Sequence, residues 1–272
     1  MTRILTTLIF LLVFLTPQHT WAGGKKTNKD ELRPTMPVPD TRLHPQRPHK
    51  PLAPVRELGK PVVLEMTYNH TASERGGIDV SHYQGQINWK AIAHDGRVHY
   101  AYCKATENTS VFDNTFLFNV REARKYGVPV GAYHFFRPSV SGEEQLKFFL
   151  ENVDMKTQDL IPMLDIEIRG KASLPVFHKQ IRAWLEGFEK IYHYKPIIYA
   201  SVNFYNKYLA GYFDDYKYMV AKYSEEIPTP DGPIKMVMWQ YTANGRVDGI
   251  RGAVDQSRFC DGFDLKDILI KK

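Results

Sequence analysis

PVGAYHFF (residues 129–136), GEEQLKFFLENV (142–153) and IPMLDIEI (161–168) follow one another in the middle of the chain, and their reading decides the fold. The outer two runs are short, apolar and rich in β-branched or aromatic residues, which predicts two strands buried on both faces. The run between them places Leu146, Phe149, Leu150 and Val153 at three- and four-residue spacings. Glu143 and Glu144 fall in its first turn, where the positive end of a helix dipole favours anions. Strand, amphipathic helix, strand is the unit that builds a parallel sheet.

The alternation extends in both directions. Strands are expected at 77–83, 98–105, 129–136, 161–168, 196–201, 218–223 and 236–242, and helices at 87–93, 114–126, 142–153 and 174–193. After Ser201 the helical patterns shorten, with 204–209 the one candidate, so loops are expected to join the last strands. Four or five such units fit either a barrel or a doubly wound sheet, and a regular eightfold barrel is not expected.

The polar residues of these strands fall toward their C-terminal ends: Asp79, then Lys104 and Glu107, His134, Asp165 and Glu167, and Gln240. In a parallel barrel those ends converge on one mouth, where active sites lie. Asp165 and Glu167 carry the strongest signal, because alternation puts residues two apart on one face of a strand. Met163, Leu164, Ile166 and Ile168 make their surroundings apolar. Partial desolvation should push the two pKa values apart, leaving one carboxyl protonated as an acid. Taken alone, Asp-x-Glu fits equally an exposed edge pair or a seat for arginine or a cation; the polar ends of the other strands select the catalytic reading.

Composition narrows the alternatives. The chain has 272 residues, 43% hydrophobic and 24% charged, enough to bury a sizeable core. Its net charge of +6 is not spread evenly: residues 1–60 hold ten Lys/Arg against four Asp/Glu, leaving 26 of each sign in 61–272. The folded part is formally neutral, so a nucleic-acid partner is not expected. No metal or cofactor is called for: there is no P-loop, no Gly-x-Gly-x-x-Gly, no His-Glu-x-x-His and no close His/Cys cluster. Cys103 and Cys260 can pair at most once, and an oxidising compartment leaves that bridge open.

The N-terminal residues 1–22 read as an export signal: Arg3, an unbroken apolar run at 8–15, and small residues around Thr20-Trp21-Ala22. The run is shorter than the ~20 residues of a membrane span, so no transmembrane span is expected after signal removal, the other reading being an uncleaved anchor. Residues 23–75 are expected to form a largely disordered basic linker. Within 23–60 there are seven prolines and nine Lys/Arg with hardly any large apolar residue, a composition that cannot drive folding by burial. It reads as a solvated tether, or as one that holds the protein at an anionic cell-envelope surface. Residues 76–272 are expected to form the catalytic domain, a monomer that is secreted, periplasmic or envelope-associated.

The run Gly77-Ile78-Asp79-Val80-Ser81-His82-Tyr83-Gln84-Gly85, followed by Ile87-Asn88-Trp89, resembles the opening of glycoside hydrolase family 25, the Chalaropsis-type lysozymes or N-acetylmuramidases. The resemblance continues in order through Lys104-Ala105-Thr106-Glu107, Gly131-Ala132-Tyr133-His134-Phe135, Asp165-Ile166-Glu167, Ile198-Tyr199 and Trp239-Gln240-Tyr241. It ends with Gly245, Gly249-Ile250 and Val254-Asp255, covering residues 76 to 262. It implies an α/β fold, an irregular TIM-like β/α barrel with fewer helices than strands. It also implies cleavage of the β-1,4 bond between N-acetylmuramic acid and N-acetylglucosamine, with peptidoglycan glycan strands as partner.

By position, Glu167 matches the family's general acid. Asp165 matches a second carboxylate, nucleophile or positioner of the substrate's N-acetyl group, and Asp79 and Asp255 match the remaining acids. Two departures concern sugar contacts: residues 218–223 lack an early tryptophan, and Ser257 stands where asparagine often follows the last aspartate. The candidate substrate contacts are Tyr83, Lys104, Glu107, Tyr133, His134, Tyr199, Trp239, Gln240 and Tyr241, with His134 equally readable as structural. Phe135, Phe148, Phe149, Trp184 and Phe188 are assigned to packing. A catalytically silent glycan binder of this fold, or a hydrolase of another N-acetylated glycan, are the competing functions; the four acids favour the muramidase.

Overall fold

The structure, a computed structural model, describes residues 76–271. The export leader expected at 1–22 and the linker at 23–75 lie outside the described residues. The elements are β1 (Gly76–Val80), α1 (Trp89–Asp95), β2 (Tyr100–Glu107), β3 (Val111–Phe112), α2 (Phe116–Lys125), β4 (Val130–Phe135), α3 (Gly142–Asn152) and β5 (Met163–Asp165). After these come α4 (Leu174–Tyr192), β6 (Ile197–Ser201), α5 (Val202–Tyr208), β7 (Lys217–Ala221), β8 (Lys235–Gly245) and β9 (Val254–Phe259).

Eight strands close a ring in the order β1, β2, β4, β5, β6, β7, β8, β9 and back to β1; β3 only extends the end of β2 as an antiparallel hairpin. Six of the ring's pairings, from β1–β2 round to β7–β8, are parallel. The two pairings of β9 are antiparallel. The irregular barrel is thus the observed architecture, with helices following each of the first strands and loops joining β7 to β8 and β8 to β9.

Local chemistry sets these elements. Ser141 caps α3 by accepting from the Glu144 amide, and Leu146 and Phe149 face inward from its apolar stripe. Gly142 lets α3 touch α4, since a Cβ there would overlap the Gln180 carbonyl. On α4, Phe177, Ile181, Trp184, Leu185 and Phe188 are buried at helical spacing, and the helix stops at His193 in the left-handed region (φ 61°).

Period-two alternation divides each strand between two cores. Ile78, Val80, Ala101, Cys103, Val130, Ala132, Leu164, Ile198 and Val220 face the helices. Tyr100, Tyr102, Met163, Ile197, Tyr199, Met219, Met238 and Phe259 fill the barrel, closed beneath by Leu160, Leu265 and Ile268. Two tyrosines fit inside because Gly77 and Gly131 face them: a Cβ on Gly77 would stand 2.1 Å from the Tyr100 ring, and one on Gly131 2.6 Å from the Tyr102 ring. Their hydroxyls are satisfied by Ser257 Oγ at 3.0 Å and the Ile161 carbonyl at 3.0 Å. Cys103 and Cys260 are separate, buried free thiols rather than a bridge. Burial pushes the Cys260 thiol up to about 11 and that of Cys103 higher still.

Candidate active site

Four strands bring acids to the mouth. Asp165 is the last residue of β5, nearly buried, with Phe135 of β4 on one side in register and Tyr199 of β6 on the other. The Ile166 amide donates to the Tyr199 carbonyl at 2.9 Å, so the ladder runs one residue past the strand. Ile166 is buried in the helix-side core, and alternation returns the half-exposed Glu167 to the side of Asp165. Asp79 and Asp255 are direct partners across the antiparallel β1–β9 pair. Such partners hold their Cβ atoms about 5 Å apart on one face.

Asp79 also takes a bond from β8, the strand beyond β9. The Gln240 amide nitrogen donates to Asp79 Oδ2 at 2.9 Å. Its oxygen accepts from the Tyr199 hydroxyl at 2.8 Å and the Tyr223 hydroxyl at 3.0 Å.

Lys104 and Glu107 lie three apart on β2, a spacing that strict alternation would send to opposite faces. A bulge between Lys104 and Thr106 shifts the register and turns Glu107 back to the mouth, level with Phe135. Glu107 then accepts from Lys104 Nζ at 2.6 Å and from Arg137 Nε at 2.8 Å. Burial works to raise its pKa, but the two cations outweigh that and the net shift is downward. Both cations also cover the Phe135 ring, Lys104 Nζ at 5.1 Å and the Arg137 guanidinium at 4.6 Å from its centroid.

At the end of β1 a short 3-10 turn, His82–Gln84, carries the exposed Tyr83, whose ring lies 4.1 Å from that of His82. Buried Asp113 anchors the turn, accepting from the His82 amide at 3.0 Å and Thr115 Oγ1 at 2.6 Å, with His82 Nδ1 at 2.7 Å. Burial raises the Asp113 pKa, and these donors more than reverse it.

The expected contacts therefore divide. Tyr83, Lys104 and Glu107 stand at the mouth; Tyr199 and Gln240 are buried just inside it, bonded to each other, and Tyr133 borders the inner core on the same face of β4 as Phe135. His134 does not. Alternation sends it outward, where it is fully buried, stacked 5.9 Å from Trp184. Gln145 fixes its protonation: the amide nitrogen donates to the carbonyls of Arg137 and Val140, so its oxygen faces His134. His134 Nε2 must donate there, and Nδ1 accepts from Thr106 Oγ1 at 2.8 Å. Burial lowers its pKa to about 4. It is a neutral structural histidine under the loop that carries Arg137, and not a sugar contact.

Trp239 and Tyr241 are corrected likewise. Met238 and Gln240 face the barrel, so Trp239 turns to the outer wall, where it is buried and donates to the Lys222 carbonyl at 2.9 Å. Arg258 covers both rings, 4.4 Å from the centroid of Trp239 and 5.6 Å from that of Tyr241. No helix follows β7 or β8, and these side chains shield the wall in its place. Phe135, assigned to the core, instead belongs to the mouth. Arg137, Tyr223 and Asp113 went unread as site residues, although Arg137 and Tyr223 obey the strand-end rule that found the others.

The residues 78–250 match the family model for glycosyl hydrolases family 25. The chain is 36% identical to lysozyme M1 of Streptomyces globisporus over 197 residues, 67% of each chain. It is 41% identical to the protein YegX of Escherichia coli (strain K12) over 187 residues, 67% of this chain and 68% of that one. A bacterial lysozyme from Streptomyces coelicolor superposes with TM-score 0.65 at 31% identity, covering 72% of this chain and 96% of its own. A family 25 glycosyl hydrolase from Bacillus anthracis gives TM-score 0.65 at 28% identity, with 75% and 96% covered. A barrel with acids at one mouth, matched across its length in sequence and in backbone, leaves one assignment: the chain belongs to glycosyl hydrolases family 25.

Proposed function

We propose that this peptidoglycan-hydrolysing lysozyme cuts the β-1,4 bond between N-acetylmuramic acid and N-acetylglucosamine at the mouth of its barrel, with Glu167 as the acid. The observation that carries the assignment is the convergence of Asp79, Asp165, Glu167 and Asp255 from β1, β5 and β9 on the C-terminal ends of the parallel strands. Glycoside cleavage needs a proton for the leaving oxygen and an anion beside the oxocarbenium-like centre. Glu167, the more exposed of the β5 pair, gives the proton to the glycosidic oxygen. Asp165, set into the wall between Phe135 and Tyr199, balances the charge that develops at the sugar ring. Asp79 and Asp255 complete the floor of the pocket, and Tyr83 offers an exposed ring for a sugar face.

Among the described residues no helix is long and apolar enough to cross a membrane. The sequence of residues 1–22 supports action outside the plasma membrane, in the periplasm or envelope, with residues 23–75 as the tether.

The test is digestion of purified peptidoglycan by residues 23–272 beside Glu167→Gln, with mass spectrometry of the new reducing ends. Muramic-acid ends released by the wild type, and cut by a factor of about 1000 or more in the variant, are expected. Glucosamine ends, or a fully active variant, would overturn the assignment.

A further inference from the structure

We propose that Tyr223 and Tyr199 are positioning residues that fix Asp79 through the side-chain amide of Gln240, an inference that rests on the muramidase reading. Gln240 is buried, so its amide must find partners within the protein. A carboxylate only accepts, which puts the amide nitrogen on Asp79 and the oxygen under the two phenols. Turned over, the amide would set its oxygen against Asp79 and lose a charge-assisted bond. The phenols thus hold the orientation in which this amide donates to Asp79.

That donor matters because Asp79 faces Asp255 directly across the β1–β9 pair, and the bond to Gln240 sets which way the Asp79 carboxyl points there. Tyr100 and Tyr102 of β2 share that side of the barrel, Tyr102 in register with Asp79, and burial keeps both phenols protonated. Gln240 is the neutral group that reaches Asp79 from β8. Tyr199 is buried inside the barrel, whereas Tyr223, 41% exposed, follows β7 at the edge of the mouth. The pair is redundant: a buried carbonyl oxygen needs one donor, and here it has two. Removing one hydroxyl leaves the amide in place, and removing both strands its oxygen and frees the side chain to turn.

The signature of this arrangement is synergy. Tyr199→Phe and Tyr223→Phe are each expected to lower kcat by less than about threefold, and the double variant by about 30-fold or more, with KM within about twofold of wild type. Gln240→Met removes the donor to Asp79 at nearly the same volume, and its kcat should fall at least as far as that of the double variant. Single effects that simply multiply, a loss confined to KM, or a fully active Gln240→Met would each overturn the proposal. A wild type that releases no muramic-acid ends overturns the muramidase reading and this proposal with it. If the double variant does not fold, the side-chain NH2 resonances of Gln240 decide. They should move on Asp79→Asn in an otherwise wild-type protein, and unmoved resonances overturn the relay.

Discussion

Acid should weaken this protein through His134, and the size of the effect follows from its burial. The imidazole is held neutral, with a pKa of about 4 against an ordinary 6.5. Below about pH 6.5 the unfolded chain takes up a proton that the folded chain refuses, so stability present above that pH is lost as pH falls toward 4. The full difference of about 2.5 pKa units corresponds to about 3 kcal/mol, of which about 2 kcal/mol is lost between about pH 7.5 and about pH 5. Glu107 and Asp113, whose pKa values are lowered, lose their contributions at lower pH, as carboxylates protonate in the unfolded chain. The interval from about pH 7.5 to about pH 5 therefore isolates the imidazole from both. Urea unfolding at a series of pH values, in wild type and His134→Gln, measures the difference. The variant starts less stable at neutral pH, having lost the Thr106 contact and the stack on Trp184, but its stability should fall by about 2 kcal/mol less over that range. Curves for the two proteins that run parallel would refute the reasoning.

Two further perturbations probe how the mouth is built. Gly77→Ala sets a methyl into the Tyr100 ring, which has no room to withdraw inside a filled barrel; a loss of about 2 kcal/mol or more by thermal or urea unfolding is expected, with near-wild-type stability contradicting it. Glu107→Gln removes the anion shared by Lys104 and Arg137, leaving two partly buried cations over Phe135; a loss of about 1–3 kcal/mol, discounted for partial exposure, should accompany reduced activity, and an unchanged unfolding midpoint would refute it.

The sequence was most legible where one periodicity governed a long run. The helix 142–153 and the strands at 129–136 and 196–201 are seen within a residue or two, because apolar spacing and burial coincide there. β9 was not read, since Asp255, Gln256, Ser257 and Arg258 present a polar run: one face looks into a polar mouth and the other, at Arg258, to solvent. The strand-end rule found Asp79, Asp165 and Gln240 but not the face each side chain takes. Tyr133 and His134 are adjacent, so at most one could line the mouth, and the same holds for Trp239 and Gln240. Glu107 reaches the mouth only through the bulge after Lys104, which no periodicity announces.

The reversed strand does more than close the ring. In a barrel of parallel strands the residues that begin a strand lie at the face away from the active site, and only strand ends and their loops reach it. Running β9 antiparallel brings its second residue, Asp255, to the mouth and sets it directly against Asp79. The cost is an outer wall without helices on the β8–β9 side, and Trp239, Tyr241 and Arg258 cover it from the strands themselves. The aromatic residues that resembled a sugar platform in sequence are thus a consequence of the same reversal that supplies the fourth acid. Loss of the Trp239 ring should therefore register as lost stability, whereas loss of the Asp255 carboxyl should register as lost turnover in a folded protein.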